Sequence, residues 1–306
     1  MHHFFRFIKL WLSRRFFWFL VALPFTTVAL SACSPKHLIL QGFASEIAAQ
    51  GDSPEDDLIL AREASAFYLK LSESLLRQVP DNSKLSESVS AGFTQYAYAF
   101  VSFEAERIES QNSKASQILR ERAAKLYSRA NTHAMAGLEQ AQPGFRAALE
   151  SPLPDRWPTL QQKHMALAYW AATSWGGYIS LNKDSPEIVA DLPLAMRLAR
   201  LAYDRDPKFG NGALASLMGT FEAASAGGTK AQALRYFDQS IAIDGLQNAA
   251  PLVAKAEGVA LPNGNRTEFE ALLTQALSVS STKKDLQNTV MRERARWLLS
   301  KVDDLF

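Results

Sequence analysis

Apolar side chains recur at intervals of three and four along most of this chain, the spacing that gathers them on one face of an α-helix. The first stripe comprises Leu60, Ala64, Phe67, Tyr68, Leu71, Leu75 and Val79, and Val79-Pro80-Asp81-Asn82 supplies a helix stop. A second runs Leu85, Val89, Tyr96, Phe100 and Phe103. After a polar break at Ser110–Lys114, a third runs Leu119, Ala123, Leu126, Ala130, His133 and Gly137. No proline falls between Asp81 and Gln142, so two long uninterrupted helices are predicted there. Pro143-Gly144, Pro152, Pro154 and Pro158 mark one irregular region. Shorter helices then alternate with breaks at Asp184-Ser185-Pro186, Asp206-Pro207, Gly227-Gly228, Pro251 and Pro262-Asn263-Gly264. Alternating β-branched runs are absent, and the predicted class is all-α.

The N-terminus obeys a different pattern. Arg6, Lys9, Arg14 and Arg15 precede an apolar run from Phe16 to Val28, followed by Leu30-Ser31-Ala32-Cys33. Basic, then greasy, then small is the order of a secretory signal. The run is shorter than the roughly 20 residues of a membrane span. Cys33 is the sole cysteine and stands where cleavage should fall, so residues 1–32 read as a lipoprotein signal peptide and Cys33 as the lipidated residue. The alternatives are an uncleaved anchor helix, or a plain signal whose cysteine is incidental. Ser13-Arg14-Arg15-Phe16-Phe17 also has the form of a twin-arginine signal, with general secretion the default. Residues 33–54 then form a lipidated N-terminus and linker, and 55–306 one helical domain. Ser34 after the cysteine favours sorting to the outer membrane.

Charge follows from that division. The leader holds four of the 33 basic residues and none of the 31 acidic ones, which leaves the mature chain at −2. Without basic runs, nucleic acid is not an expected partner. With no cysteine beyond Cys33, neither disulfides nor thiolate metal sites are expected.

A degenerate repeat runs through the second half. Ala195-Ala199-Ala202-Pro207 and Ala233-Phe237-Ser240-Gly245 share the spacing of the second helix of a tetratricopeptide repeat; Ala123-Tyr127-Ala130 and Phe269-Leu273-Ala276 fit loosely. Small side chains at these positions let antiparallel helices approach, and the aromatic fills the gap to the next pair. The architecture predicted is an α-solenoid of antiparallel helix pairs with cryptic tetratricopeptide-like repeats. An irregular helical bundle is the alternative.

Candidate chemistry is sparse. His133 lies on an apolar stripe and reads as a packed core histidine; His164 has no partner histidine at helical spacing, and no metal site is expected. Asp204-Arg205-Asp206-Pro207 reads as a helix-ending turn, Gly210-Asn211-Gly212 as a tight interhelical turn, and Asn265-Arg266-Thr267 as a helix cap. Glu104 and Glu106 are two apart on a helix and cannot form an acid/base pair. Neither a catalytic residue nor a cofactor is predicted. The aromatics are more informative. Tyr169, Trp170, Trp175 and Tyr178 share one predicted helix and point to two of its faces, which fits either core packing or a ligand-lining surface. Tyr96, Phe100, Trp170, Trp175 and Tyr178 are the candidate ligand-binding residues. Gly176-Gly177 beside them predicts close approach by a neighbouring helix.

Scattered positions resemble a known family. Ala66-Phe67-Tyr68-Leu69, Glu73, Leu75-Leu76, Val79-Pro80-Asp81, Gly92, Tyr96-Ala97 and Phe100-Val101 carry it first, then Leu126-Tyr127 and Gly137-Leu138-Glu139. Tyr169-Trp170, Trp175, Ile179, Leu201, Asp206-Pro207, Gly210, Gly212-Ala213, Gly227-Gly228, Ala233, Phe237 and Phe269-Leu272-Leu273 complete it. Over roughly residues 55–280 the chain resembles the T component (TatT) of tripartite ATP-independent periplasmic (TRAP) transporters. The resemblance implies an all-α periplasmic lipoprotein able to form a trimer with hydrophobic passages. It also implies pairing with the substrate-binding P component and delivery of an apolar ligand to the permease. Gln142–Pro158 and Met291–Lys301 match least. The alternative function is a generic envelope scaffold in outer-membrane or cell-wall assembly.

Overall fold

A computed structural model describes residues 40–41, 57–283 and 285–306. The leader, Cys33 and nearly all of the 33–54 linker lie outside the described residues. Among the described residues, every regular element is helical.

Helix α1 (Leu58–Leu76) starts where the Asp57 carboxylate accepts the backbone N–H groups of Ile59 and Leu60, at 2.9 and 3.1 Å. Asn82 caps α2 (Ser83–Tyr96) in the same way through Leu85 N–H at 2.9 Å. The predicted long helix does not continue unbroken. It passes through a π-helical turn, Ala97–Ser102, before α3 (Phe103–Ile108). Its successor α4 (Ser113–Ala141) is uninterrupted for 29 residues. Gly144, at φ 82°, turns the chain into α5 (Phe145–Glu150). The proline-rich stretch beyond is pinned by Arg197, whose guanidinium lies 4.3 Å from the Trp157 ring centre and donates to Ser151 O at 3.0 Å.

The second half contains α6 (Met165–Ser180), α7 (Pro186–Val189), α8 (Leu192–Arg205), α9 (Ala213–Ala224), α10 (Lys230–Asp244) and α11 (Ala250–Lys255). Helix α11 runs into a second π segment, Ala256–Ala260. Helices α12 (Arg266–Thr282), α13 (Leu286–Ser300) and α14 (Val302–Leu305) follow. The expected turns are present: Gly210, Asn211 and Gly212 all have positive φ, Asp206 accepts Lys208 N–H at 3.1 Å, and Asn265 caps α12 through Glu268 N–H at 3.2 Å.

Helices α4 and α6 pack antiparallel. Along α4 and α6, Tyr127 meets Gly177, Asn131 donates to Ala171 O at 3.0 Å, and Gly137 meets Leu167. A Cβ on Gly177 would lie 2.7 Å from the Tyr127 ring, and one on Gly176 would lie 2.8 Å from Phe221. The glycine pair therefore admits an aromatic from each of two neighbouring helices, the close approach that its sequence predicts. Phe237 occupies a similar notch between Gly219 and Gly258. Ala195, Ala199, Ala202, Ala233, Phe237 and Ser240, the spaced positions of the degenerate repeat, are all buried.

Two features depart from the linear pattern. The apolar stripe of α1 divides: Leu75 and Val79 are buried, whereas Leu60, Ala64, Phe67 and Leu71 face outward. The helix packs instead through Ala61, Leu69, Ser72 and Leu76, because Gly92 of α2 leaves room for the Leu69 side chain. The chain also returns on itself. Helix α13 packs against α1, and Leu58, Tyr98 and Ala99 join the C-terminal core of α11–α13.

Candidate functional site

Where the chain closes on itself, its two π segments contribute side chains to one charged cluster. A π turn widens a helix locally and recurs at functional positions. The first supplies Tyr98 and the second Glu257, and between them lies Arg294 of α13, with a side chain only 8% exposed. Arg294 Nε and Nη2 donate to the two oxygens of Glu257 at 2.9 and 2.6 Å, a bidentate pair. Nη2 also donates to Glu106 of α3 at 2.9 Å. The guanidinium lies 5.6 Å from the Tyr98 ring centre, 5.2 Å from Phe103 and 5.9 Å from Trp297. Phe103 and Trp297 meet edge to face at 5.7 Å. Nη1 of Arg294 is buried without an acceptor among the described residues.

Removal from water acts on Glu106, Tyr98 and Arg294. Burial raises the Glu106 carboxyl above its usual range; Arg294 opposes the shift and the neighbouring Glu257 adds to it. Burial also raises the phenols of Tyr98 and Tyr127. For Arg294, burial works against the charge, but Tyr98, Glu257 and Glu106 outweigh it and hold the guanidinium protonated. The cluster ties residues 106 and 294 together. Replacing Glu106 alone by Gln is expected to cost little, since the bidentate Arg294–Glu257 pair survives; an unfolding midpoint close to that of the parent chain would show this.

A second buried charge lies at the junction of α1 and α4. Glu73 is bound by Arg129 through both oxygens, by His133 Nε2 at 2.9 Å and by Lys70 at 2.9 Å, with Arg77 at 3.6 Å. Burial alone would raise its carboxyl, but the hydrogen bonds from Arg129, Lys70 and His133 prevail and hold it at about 2. A depressed carboxyl stabilises the fold above its unfolded value and loses that contribution as pH falls toward the folded one. Stability is thus expected to decline between about pH 4.5 and pH 2. In the Glu73→Gln variant that decline should be shallower, as followed by circular dichroism. His133, predicted as a core histidine, is half-buried; it stacks on Phe93 at 6.2 Å and serves this carboxylate. His164 is buried, and burial together with Lys163 pushes its imidazole down.

The five aromatic candidates are distributed over different surroundings. Tyr96 and Phe100 meet edge to face at 5.4 Å and share an apolar cluster with Tyr178. Trp175 is buried in a separate cluster, with its indole N–H donating to Asp191 at 3.3 Å. Trp170 is half-buried and rests against Tyr169 at 4.8 Å. Among the described residues, no group of three His, Cys, Asp or Glu side chains is placed to hold a metal, and no helix is long and apolar enough to cross a membrane.

Sequence reasoning missed the Arg294 cluster. A signal was present: Met291, Arg294, Ala295 and Leu298 share one helical azimuth, so the arginine interrupts an otherwise apolar stripe. Its partners Glu106 and Glu257 lie far away in the chain and carry no local mark.

Comparison with known families places the chain: residues 54–306 match the TRAP transporter T-component family, and the chain belongs to it. This is a family of transporter accessory proteins. An uncharacterized protein of Treponema pallidum (strain Nichols) is similar, at 28% identity over 262 residues, covering 82% of this chain and 81% of the relative.

Proposed function

We propose that the mature chain, anchored through acylated Cys33, acts on the periplasmic side of the cell envelope, with the outer membrane as its destination. There it docks the substrate-binding P component of a TRAP transporter and works by non-covalent binding, without catalysis. The observation that carries this reading is the family match across the whole described body. Acyl chains contribute about 0.8 kcal/mol per buried methylene, so two or three hold a protein at the membrane. Tethering there raises the effective concentration of a partner that must also meet a membrane permease.

The antiparallel packing of α4 and α6 and the buried small and aromatic positions of the repeat support a tetratricopeptide-like solenoid. In this reading, Tyr96, Phe100, Trp170, Trp175 and Tyr178 line or back a passage for an apolar ligand, and a homotrimer is the assembly. Half-buried Trp170 and fully buried Trp175 separate two roles. Trp170→Ala is expected to weaken an apolar fluorescent probe while the protein stays folded, whereas Trp175→Ala should chiefly lower the unfolding midpoint. A Trp170→Ala variant that unfolds, without an effect on the probe, would assign both residues to packing.

Affinity capture from detergent extracts of cross-linked cells tests the partner. Recovery of a TRAP substrate-binding protein is the expected result. Recovery of outer-membrane or cell-wall assembly factors in its place would favour an envelope scaffold.

A further inference from the structure

Helix α1 turns an apolar ridge outward. Phe67 is 73% exposed, Ile59 66% and Leu60 53%, and Ala64 and Leu71 continue the same surface. Leu60, Ala64, Phe67 and Leu71 follow one another at intervals of four, three and four, so they form a single row along the helix. No described element covers it. A phenylalanine this exposed, set within a row of aliphatic side chains, differs from the isolated apolar residues common on protein surfaces.

Beside the ridge runs a basic row. Lys70 and Arg77, with side chains 60% and 61% exposed, lie seven positions apart on the flank between the ridge and Arg129 of α4. All three cations converge on one carboxylate, buried Glu73, so the group keeps two positive charges in surplus; Glu63 on the same flank offsets one of them. An apolar ridge bordered by a net positive charge suits a helix that lies in a bilayer interface. The apolar row enters the acyl boundary while the bases meet anionic headgroups.

The position of the helix supports that occupant. Residues 40–41 precede α1 and meet the body just beyond its C-terminal end, where Gln41 donates to Asp81 at 2.7 Å and accepts from Asn82 at 2.7 Å. Residues 34–39 alone separate that point from Cys33, and even fully extended they reach no more than ~25 Å. We infer that α1 docks on an anionic phospholipid surface through Leu60, Phe67 and Leu71, with Lys70 and Arg77 at headgroup level. Docking would orient the tethered body on the membrane as well as retain it. The inference uses the Cys33 anchor for proximity, but the two can fail separately.

The test uses the mature protein purified from membranes, carrying Phe67→Trp, or Ile118→Trp as a control at an exposed site on α4. It is mixed with vesicles of phosphatidylcholine, with or without phosphatidylglycerol, that contain brominated acyl chains. Fluorescence is read as the difference from the parent chain, so that only the introduced indole counts. The indole at position 67 should be quenched on anionic vesicles, and the one at position 118 should not. Neutralising Lys70 and Arg77 to Gln should weaken that quenching about fivefold per charge removed. Equal quenching at both positions, or none at position 67, overturns the docking, whether or not the protein floats with the vesicles. Protection of position 67 that scales with protein concentration and needs no lipid overturns it too, in favour of a second copy. Flotation reports separately on the anchor.

Discussion

Arg294→Met is expected to destabilise the protein by about 3–5 kcal/mol. The size follows from what the substitution leaves behind. Glu106 and Glu257 lose their common cation inside the fold, and among the described residues no other cation is hydrogen-bonded to either. A half-buried carboxylate stripped of its partner either stays charged at a cost or takes up a proton, and both outcomes weaken the folded state. The loss falls where the chain closes, because Arg294 ties α13 to α3 and to the second π segment. Denaturant unfolding should show the drop in midpoint. Adding Glu106→Gln and Glu257→Gln should recover much of it, since the abandoned charges are then gone. A midpoint unchanged by Arg294→Met would mean that this ion cluster holds nothing together.

Phe237→Ala should cost a similar amount, about 3–5 kcal/mol, for the opposite reason. Phe237 is wholly buried, and its ring fills the notch that Gly219 of α9 and Gly258 of the second π segment leave open. Neither glycine carries a side chain that could swing into the void, so the cavity cannot collapse by rotamer changes at those two positions. Three elements meet on this ring, and its removal should lower the thermal midpoint without altering helical content below the transition. A loss under about 1 kcal/mol would show that neighbouring helices close the gap.

The two residues also mark what was legible in the sequence. Phe237 was readable because its cause is local and periodic: it stands in the aromatic slot of Ala233-Phe237-Ser240-Gly245, and Gly245 ends the helix with φ 63°. The helix cap at Asn265 and the close approach at Gly176-Gly177 were readable for the same reason, whereas Asn82 read only as part of a helix stop and proves also to cap α2. Arg294 was not, because its partners are brought near only when the whole chain folds. The π turn at Ala97–Ser102 was hidden likewise, since an apolar run such as Ala97-Tyr98-Ala99-Phe100-Val101 fits an α-helix equally well. Packing against the C-terminal core accompanies the widening there. The outward ridge of α1 shows the limit of periodicity: a stripe at helical spacing announces a helix but not which of two apolar faces its neighbours will cover. Glu73 was picked out by resemblance, and its role in holding Arg129, Lys70 and His133 emerged only from their convergence in space.

Partnership with the transporter is the claim on which the functional account rests, and direct titration tests it best. The purified mature chain, immobilised through its acylated end, is exposed to increasing concentrations of the TRAP substrate-binding protein from the same cell. The account predicts saturable, reversible binding that an unrelated periplasmic binding protein does not reproduce. Equal signals from both proteins, or none from either, would contradict it.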